Sequence, residues 1–299
     1  MKHRKKLYRR EQKRQKKIII IGLFMVLLCL SFGYAAFNTN INLSAKGNIN
    51  TINTSDYLKK QITTDGEGLY QDIYENNRYI YKGANPNNYL KLGNNLWRIV
   101  AIEQDNTLKI IKNEPLEKQV WNSDNKNDWT TSSLNNYLNT TYYSSLNNTD
   151  KVVTHNFNIG QITYDNDDLT TQIQNEKQTI WNGKIGLITV SDFIKANTNT
   201  SKCGNLKLTN ENYLTTCRYS NYLLPKQFAW TINKYSNIKN MVATLNSKSW
   251  IGRNYPEALE VTSGDEVVGY SDAYPVMFLS SDIKIKGSGS INEPYIIKN

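Results

Sequence analysis

Histidine is the first limit on what chemistry this chain can do. There are two, His3 in a basic N-terminal stretch and His155 in the body. A Ser–His–Asp or Cys–His mechanism in the body must use His155. No Gly-x-Ser-x-Gly or similar nucleophile setting accompanies it, so it reads as a loop or surface residue. Zinc lacks ligands too, because Cys203 and Cys217 have no nearby histidine to complete a tetrahedral set. Asp165-Asn166-Asp167-Asp168 has a calcium-loop look, with Glu176 at the twelfth position. Leu169 and Thr170 stand where an oxygen ligand and the turn glycine belong, so the cluster reads as a helix cap. The pairs Glu257/Glu260 and Asp265/Glu266 are adjacent in sequence only. Glycoside hydrolysis needs two carboxylates about 5–10 Å apart in space. Gly287-Ser288-Gly289 lacks the Lys-Ser/Thr of a phosphate loop. The expectation is no catalytic residue, no metal and no cofactor.

Six tryptophans remain as recognition candidates. Trp97 and Trp230 lie inside strand patterns and read as core. Trp121 and Trp129 flank the polar run Asn122-Ser123-Asp124-Asn125-Lys126-Asn127-Asp128. Aromatics in such company suit sugars or protein surfaces, so these two are the possible recognition surface.

The elements that would carry these residues are mostly strands. Leu69–Tyr74, Arg78–Tyr81, Leu96–Ile102 and Thr107–Ile111 have β signals, separated by Asn-, Gly- and Asp-rich spacers. A short capped helix is expected after Ser55-Asp56. Leu134, Leu138, Tyr142 and Leu146 have helical spacing after a cap at Thr131 or Ser132. Asp167 or Asp168 caps a second helix, running to about Lys177. Lys184–Val190 reads as a strand, with a short helix from Ser191. Strand signals return at Phe228–Ile232, Met241–Leu245, Leu259–Val261, Glu266–Tyr270, Val276–Leu279 and Tyr295–Ile297. Strands, then helices, then strands predict the α+β class: a β-rich single extracellular domain over 55–299, preceded by one N-terminal transmembrane helix.

That helix is expected over Ile18–Phe37, an uncharged apolar run long enough to span a bilayer. Residues 1–17 carry ten Lys/Arg against Glu11, so +9 of the +10 net charge lies in this tail. The nearly neutral remainder argues against nucleic acid. The tail fixes the N-terminus in the cytoplasm and residues 38–299 outside, and it favours anionic lipid. Residues 38–54 alternate as a strand or stalk. Gly33-Tyr34-Ala35-Ala36 offers a signal-peptidase site after Ala35; retention at the cell membrane is the leading reading and secretion after cleavage the alternative. Outside the membrane, Cys203 and Cys217 are expected to form a disulfide.

Several segments together resemble uncharacterised exported surface proteins of low-GC Gram-positive bacteria that carry a C-terminal domain of unknown function. They are Tyr81-Lys82-Gly83-Ala84-Asn85-Pro86, Leu96-Trp97-Arg98-Ile99-Val100, Ser132-Ser133-Leu134-Asn135-Asn136-Tyr137-Leu138-Asn139, and Tyr274-Pro275-Val276-Met277-Phe278-Leu279. The resemblance covers roughly residues 65–299 and implies no known activity. The Ser-Leu-x-x-Tyr-Leu-Asn segment and closing strands are also similar to C-type-lectin-like and formylglycine-enzyme-like folds, which implies ligand or partner binding. The resulting expectation is a non-enzymatic membrane-anchored surface protein for adhesion or for binding a glycan or protein. The alternatives are a carboxylate-dependent cell-wall or glycan hydrolase and a secreted fibre or matrix subunit.

Overall fold

The computed structural model describes residues 16–17, 53–116, 118–163, 168–204, 217–235, 240–247, 251–255, 257, 260–263 and 266–298. The chain divides into two units, Met1–Thr51 and Ile52–Asn299. Ile18–Phe37, Ala35 and Ala36 lie outside the described residues. Among the described residues no helix is long and apolar enough to cross a membrane.

The second unit is β-rich with short helices. It opens on helix α1 (Thr54–Lys59), then β1 (Gly68–Gln71), β2 (Tyr79–Lys82), β3 (Tyr89–Leu92), β4 (Asn95–Ile102) and β5 (Leu108–Lys112). Helix α2 (Ser133–Tyr137) starts where Ser132 accepts a hydrogen bond from the Asn135 amide. It passes into a π-helical turn at Leu138–Tyr142 rather than running straight to Leu146. Next come β6 (Val152–Val153), β7 (His155–Asn158), α3 (Leu169–Lys177), β8 (Ile180–Gly183), β9 (Ile185–Gly186), α4 (Val190–Lys195) and α5 (Thr200–Cys203). The last third holds β10 (Phe228–Lys234), β11 (Val242–Asn246), β12 (Ile251–Asn254), β13 (Glu260–Ser263), β14 (Glu266–Asp272), β15 (Val276–Leu279), β16 (Lys284–Lys286) and β17 (Tyr295–Lys298).

Ten strands make one curled sheet whose main path runs β16-β17-β3-β4-β5-β15-β6, with β1, β2 and β9 attached. Five strands, β12-β11-β10-β14-β13, make a second sheet, and β7 pairs with β8. Central β4 and β5 are nearly continuous apolar runs, and Trp97, Ile99, Val100, Leu108 and Ile110 are wholly buried. The last strand, β17, lies parallel to β3, with Tyr295 opposite Leu90. The Thr54 hydroxyl donates to the Ile283 carbonyl, and Lys284 Nζ donates to Asn53 Oδ1 at 2.9 Å. The two ends of the unit are thus held together.

Two helix caps settle sequence expectations. Asp168 accepts from the Thr170 and Thr171 amides at 3.0 and 3.2 Å and opens α3; Asp165–Asp167 lie outside the described residues. Thr189 caps α4, which starts at Val190, one residue before the expected Ser191. The strand expected over Lys184–Val190 is reduced to the two residues of β9.

Candidate functional site

The described residues gather more than half of their buried charged side chains in one place. Asp72 and Glu75 lie in the turn after β1, and Arg78 stands just before β2. Glu103 follows β4, Lys109 lies on β5, and Asp192 and Lys195 are one turn apart on α4. The local chain explains how the turn forms. The Asp72 amide donates to the Arg78 carbonyl at 2.9 Å, the Arg78 amide donates to the Glu75 carbonyl at 3.2 Å, and Asn77 takes a left-handed backbone (φ 59°).

The side chains then interlock. Arg78 donates to Asp72 and Asp192 at 2.8 Å each, and forks onto Glu103 at 2.9 and 3.0 Å. Lys195 Nζ reaches Asp72 at 2.8 Å and Glu75 at 2.6 Å. Lys109 holds Asp192 at 2.5 Å, and Lys177 holds Glu75 at 2.5 Å. Four carboxylates (Asp72, Glu75, Glu103, Asp192) therefore face four cations (Arg78, Lys109, Lys177, Lys195). Burial works to raise Glu75 and Asp192, but the neighbouring cations win: Glu75 is held at about 2 and Asp192 far below the carboxylate range.

Among the described residues Glu176 stands beside this cluster without an ion pair. Its two carboxylate oxygens accept from the amide and the hydroxyl of Ser191 at the start of α4. Burial pushes its pKa up to about 7 despite those hydrogen bonds. Gly160 lets the chain approach α3 closely here. Its amide donates to the Glu176 carbonyl at 2.8 Å, and an added Cβ would sit 2.1 Å from the Asn175 carbonyl oxygen.

Above the cluster the surface opens into a polar cleft. Its free space, open mouth included, is ≈ 840 Å³, with Gln104, Asp105, His155, Asn156, Asn158 and Ile180 on the rim. A narrower arm, with room for little more than a few waters (≈ 40 Å³), reaches Arg78, Lys109 and Asp192. Asp105 accepts from the Thr107 amide and hydroxyl at 3.0 and 2.7 Å and faces His155 Nε2 at 3.2 Å. Burial tends to raise Asp105, while the Thr107 bonds and His155 lower it. Asn158 lines both arms, and among the described residues no side-chain hydrogen bond engages its amide.

His155 is thus a cleft residue rather than an isolated surface one. Its ring stacks on Phe278 at 3.8 Å, and Nδ1 lies 3.2 Å from the Asn156 carbonyl. Neither ring nitrogen is turned toward a serine or cysteine. Phe278 meets Phe157, Phe157 meets Trp181, Trp181 meets Trp129, and Trp129 meets Trp121, with centroids 5.1–5.8 Å apart.

That ladder corrects one expectation. Trp121 and Trp129 are 0% and 2% exposed and form no surface. The polar run between them folds back on itself, Asn122 donating to the Lys126 carbonyl at 2.9 Å, so the indoles turn inward. Cys203 and Cys217 form the expected disulfide. Among the described residues no group of His, Cys, Asp and Glu could hold a metal ion. Glu257 is exposed, and Asp265 lies outside the described residues. Sequence reasoning missed the charge cluster because its members come from four separate segments with no motif spacing.

No family model, no curated protein and no solved structure matches the chain.

Proposed function

We propose that this chain is a single-pass cell-surface protein whose outward unit binds a glycan in the polar cleft. The observation that carries the reading is the open cleft with the unengaged Asn158 amide and the Asp105 carboxylate on its walls. A sugar hydroxyl both donates and accepts, and so does an amide. The interlocked ions below hold the cleft floor rigid, which lowers the ordering cost of binding. Ile180, 56% exposed at the rim, offers an apolar patch for a sugar ring face. Anchoring through Ile18–Phe37, with the basic tail inside, is part of the same proposal, and the Cys203–Cys217 disulfide suits an oxidising exterior.

The hydrolase reading is weaker for a physical reason. A general acid must hold a proton near working pH. Glu75 is held at about 2, Asp105 is lowered, and Glu103 is clamped by Arg78. Glu176 does hold a proton near neutrality, but it is wholly buried on Ser191 and does not line the cleft. N-terminal sequencing of the mature protein distinguishes an anchor from a subunit cut after Ala35.

The test is a glycan array probed with purified full-length chain. Binding to cell-wall or host glycans that Asn158→Ala and Asp105→Ala weaken, and Lys91→Ala does not, is the expected result. No binding to any glycan by folded protein, or binding that ignores both cleft substitutions, overturns the reading.

A further inference from the structure

One sheet face carries cations without matching acids. Strands β16, β17, β3 and β4 lie side by side, and Ile285, Tyr295, Leu90 and Trp97 turn inward and are buried. The residues that alternate with them point the other way. Lys284 lies directly opposite Lys298. In the next row Lys286 faces Ile296, Ile296 faces Lys91, and Lys91 faces Leu96. Four lysines thus surround one isoleucine, which is 36% exposed. The body of the chain is nearly neutral, so this is a local concentration of charge. Lys284 Nζ donates to Asn53, whereas among the described residues Lys91, Lys286 and Lys298 enter no ion pair.

Like charges directly opposite each other on a sheet disfavour the pairing. An anion laid across Lys284 and Lys298 relieves that repulsion. The second row alternates cation with aliphatic side chain, and this narrows the choice of anion. A soluble polyanion would lose water against Ile296 and Leu96 and gain nothing from them. A lipid surface offers phosphates to the ammonium groups and carbon to the aliphatic ones. A recess of ≈ 260 Å³ beside the row, lined by Lys91, Gly93, Ile296 and Lys151, has room for one headgroup. Asp150 also lines it and pairs with Lys151 at 3.2 Å.

The place of this face in the chain favours the same partner. Lys284 holds Asn53 at 2.9 Å, so the Ile52–Asn299 unit begins beside it. Residues 38–52 separate the unit from the expected membrane segment and reach at most about 50 Å. The glycan cleft is elsewhere, because Glu103 follows the far end of β4, roughly 20 Å along the strand from Leu96. We propose that the lysine face rests on an anionic lipid surface, with Lys91, Lys286 and Lys298 on headgroup phosphates and Ile296 between them. The proposal rests on the anchored reading given above and leaves the cleft free.

The test uses the full-length chain in nanodiscs of phosphatidylcholine alone or mixed with phosphatidylglycerol in equal parts. Amines are acetylated for timed intervals, and each lysine is read by mass spectrometry. Lys91, Lys286 and Lys298 should react about fivefold or more slowly in the anionic discs, the advantage that one lysine gains at an anionic surface. Lys177, 41% exposed beside the cleft, should react alike in both. High salt should remove the protection. Equal labelling of the three lysines in both discs overturns the proposal and leaves the anchored reading standing. Equal protection by inorganic phosphate added to neutral discs also overturns it, since the face would then take a soluble anion. A chain that stays with neither disc refutes the anchoring, and the proposal falls with it.

Discussion

Arg78 donates to Asp192 across 2.8 Å although 114 residues separate them in the chain. The contact ties the β1–β2 hairpin to α4, and Lys109 on β5 shares the same carboxylate. Three elements from distant parts of the sequence therefore depend on one side chain. Asp192→Asn would leave two buried cations facing a neutral amide. Breaking one partner of a buried ionic network costs about 3–5 kcal/mol, far more than the intact pair contributes. Urea unfolding of the variant should show a loss of that size with an unchanged m-value. Adding Arg78→Met to Asp192→Leu should recover none of it, because Lys109 still lacks its carboxylate and Glu103 loses its cation. Asp192→Asn unfolding within about 1 kcal/mol of the parent chain would mean that the cluster is not dry.

Stability should fall away on both sides of mildly acidic pH. Glu75 is depressed from 4.5 to about 2, so its contribution is complete above 4.5 and is lost as pH drops through about 2. Glu176 behaves oppositely. Its pKa is raised from 4.5 to about 7, so the folded chain holds a proton there that the unfolded chain releases. Its contribution is full below 4.5 and is lost as pH rises toward about 7. Glu176→Gln keeps a neutral group against Ser191, whose hydroxyl can turn to accept from the new amide. The variant should lose the slope between about pH 5 and pH 8 and gain up to about 3 kcal/mol over the parent at the upper end. Parallel, superimposable stability curves for the two proteins would refute this.

The β-rich frame was legible in the sequence because runs such as Leu96–Ile102 and Val276–Leu279 are apolar enough to need two covered faces. The caps at Ser132 and Asp168 were legible because a short oxygen-bearing side chain before an apolar period has few other uses, whereas Thr189 was read as part of a strand. Strands β3, β6, β7, β8, β12 and β16 were missed: segments such as Tyr89–Leu92, His155–Asn158 and Lys284–Lys286 are too short or too polar to show a period, and they are strands because a neighbour pairs with them. The site was less legible. His155 drew notice only as a missing catalytic partner, and nothing in its surroundings announces Asp105, fifty residues earlier, as its neighbour. Ion clusters of this kind are assembled by topology, and sequence distance hides them.

The Cys203–Cys217 bridge spans a sequence separation of 14 and joins the end of α5 to a 3₁₀ turn at Cys217–Tyr219. Closing a loop of that length stabilises by about 3 kcal/mol through the unfolded chain. Replacing both cysteines by serine should lower stability by about 2–4 kcal/mol. Dithiothreitol should lower the melting temperature of the parent chain and leave the double variant unmoved. Alkylation of the unfolded, unreduced protein should label Cys29 alone of the 3 cysteines; labelling of all of them would exclude the bridge in the expressed protein.

Trp121 and Trp129 are neighbours with different obligations. Trp121 Nε1 donates to the Thr231 carbonyl at 3.0 Å, which fastens the 121–129 segment to β10. Trp129 Nε1 is buried with no partner, so its contribution comes from packing between Trp121 and Trp181. Phenylalanine removes the same atoms from each. At Trp129 it also removes an unsatisfied donor, which offsets part of the lost contact. At Trp121 it strands the Thr231 carbonyl as well, which adds about 1–3 kcal/mol. Trp121→Phe should therefore destabilise more than Trp129→Phe, while Trp129→Ala, which opens a cavity between two rings, should cost about 3–5 kcal/mol. Chemical denaturation of the three variants gives the order directly. If Trp129→Phe proved the costlier phenylalanine substitution, the hydrogen bond to Thr231 would not be what distinguishes the two indoles.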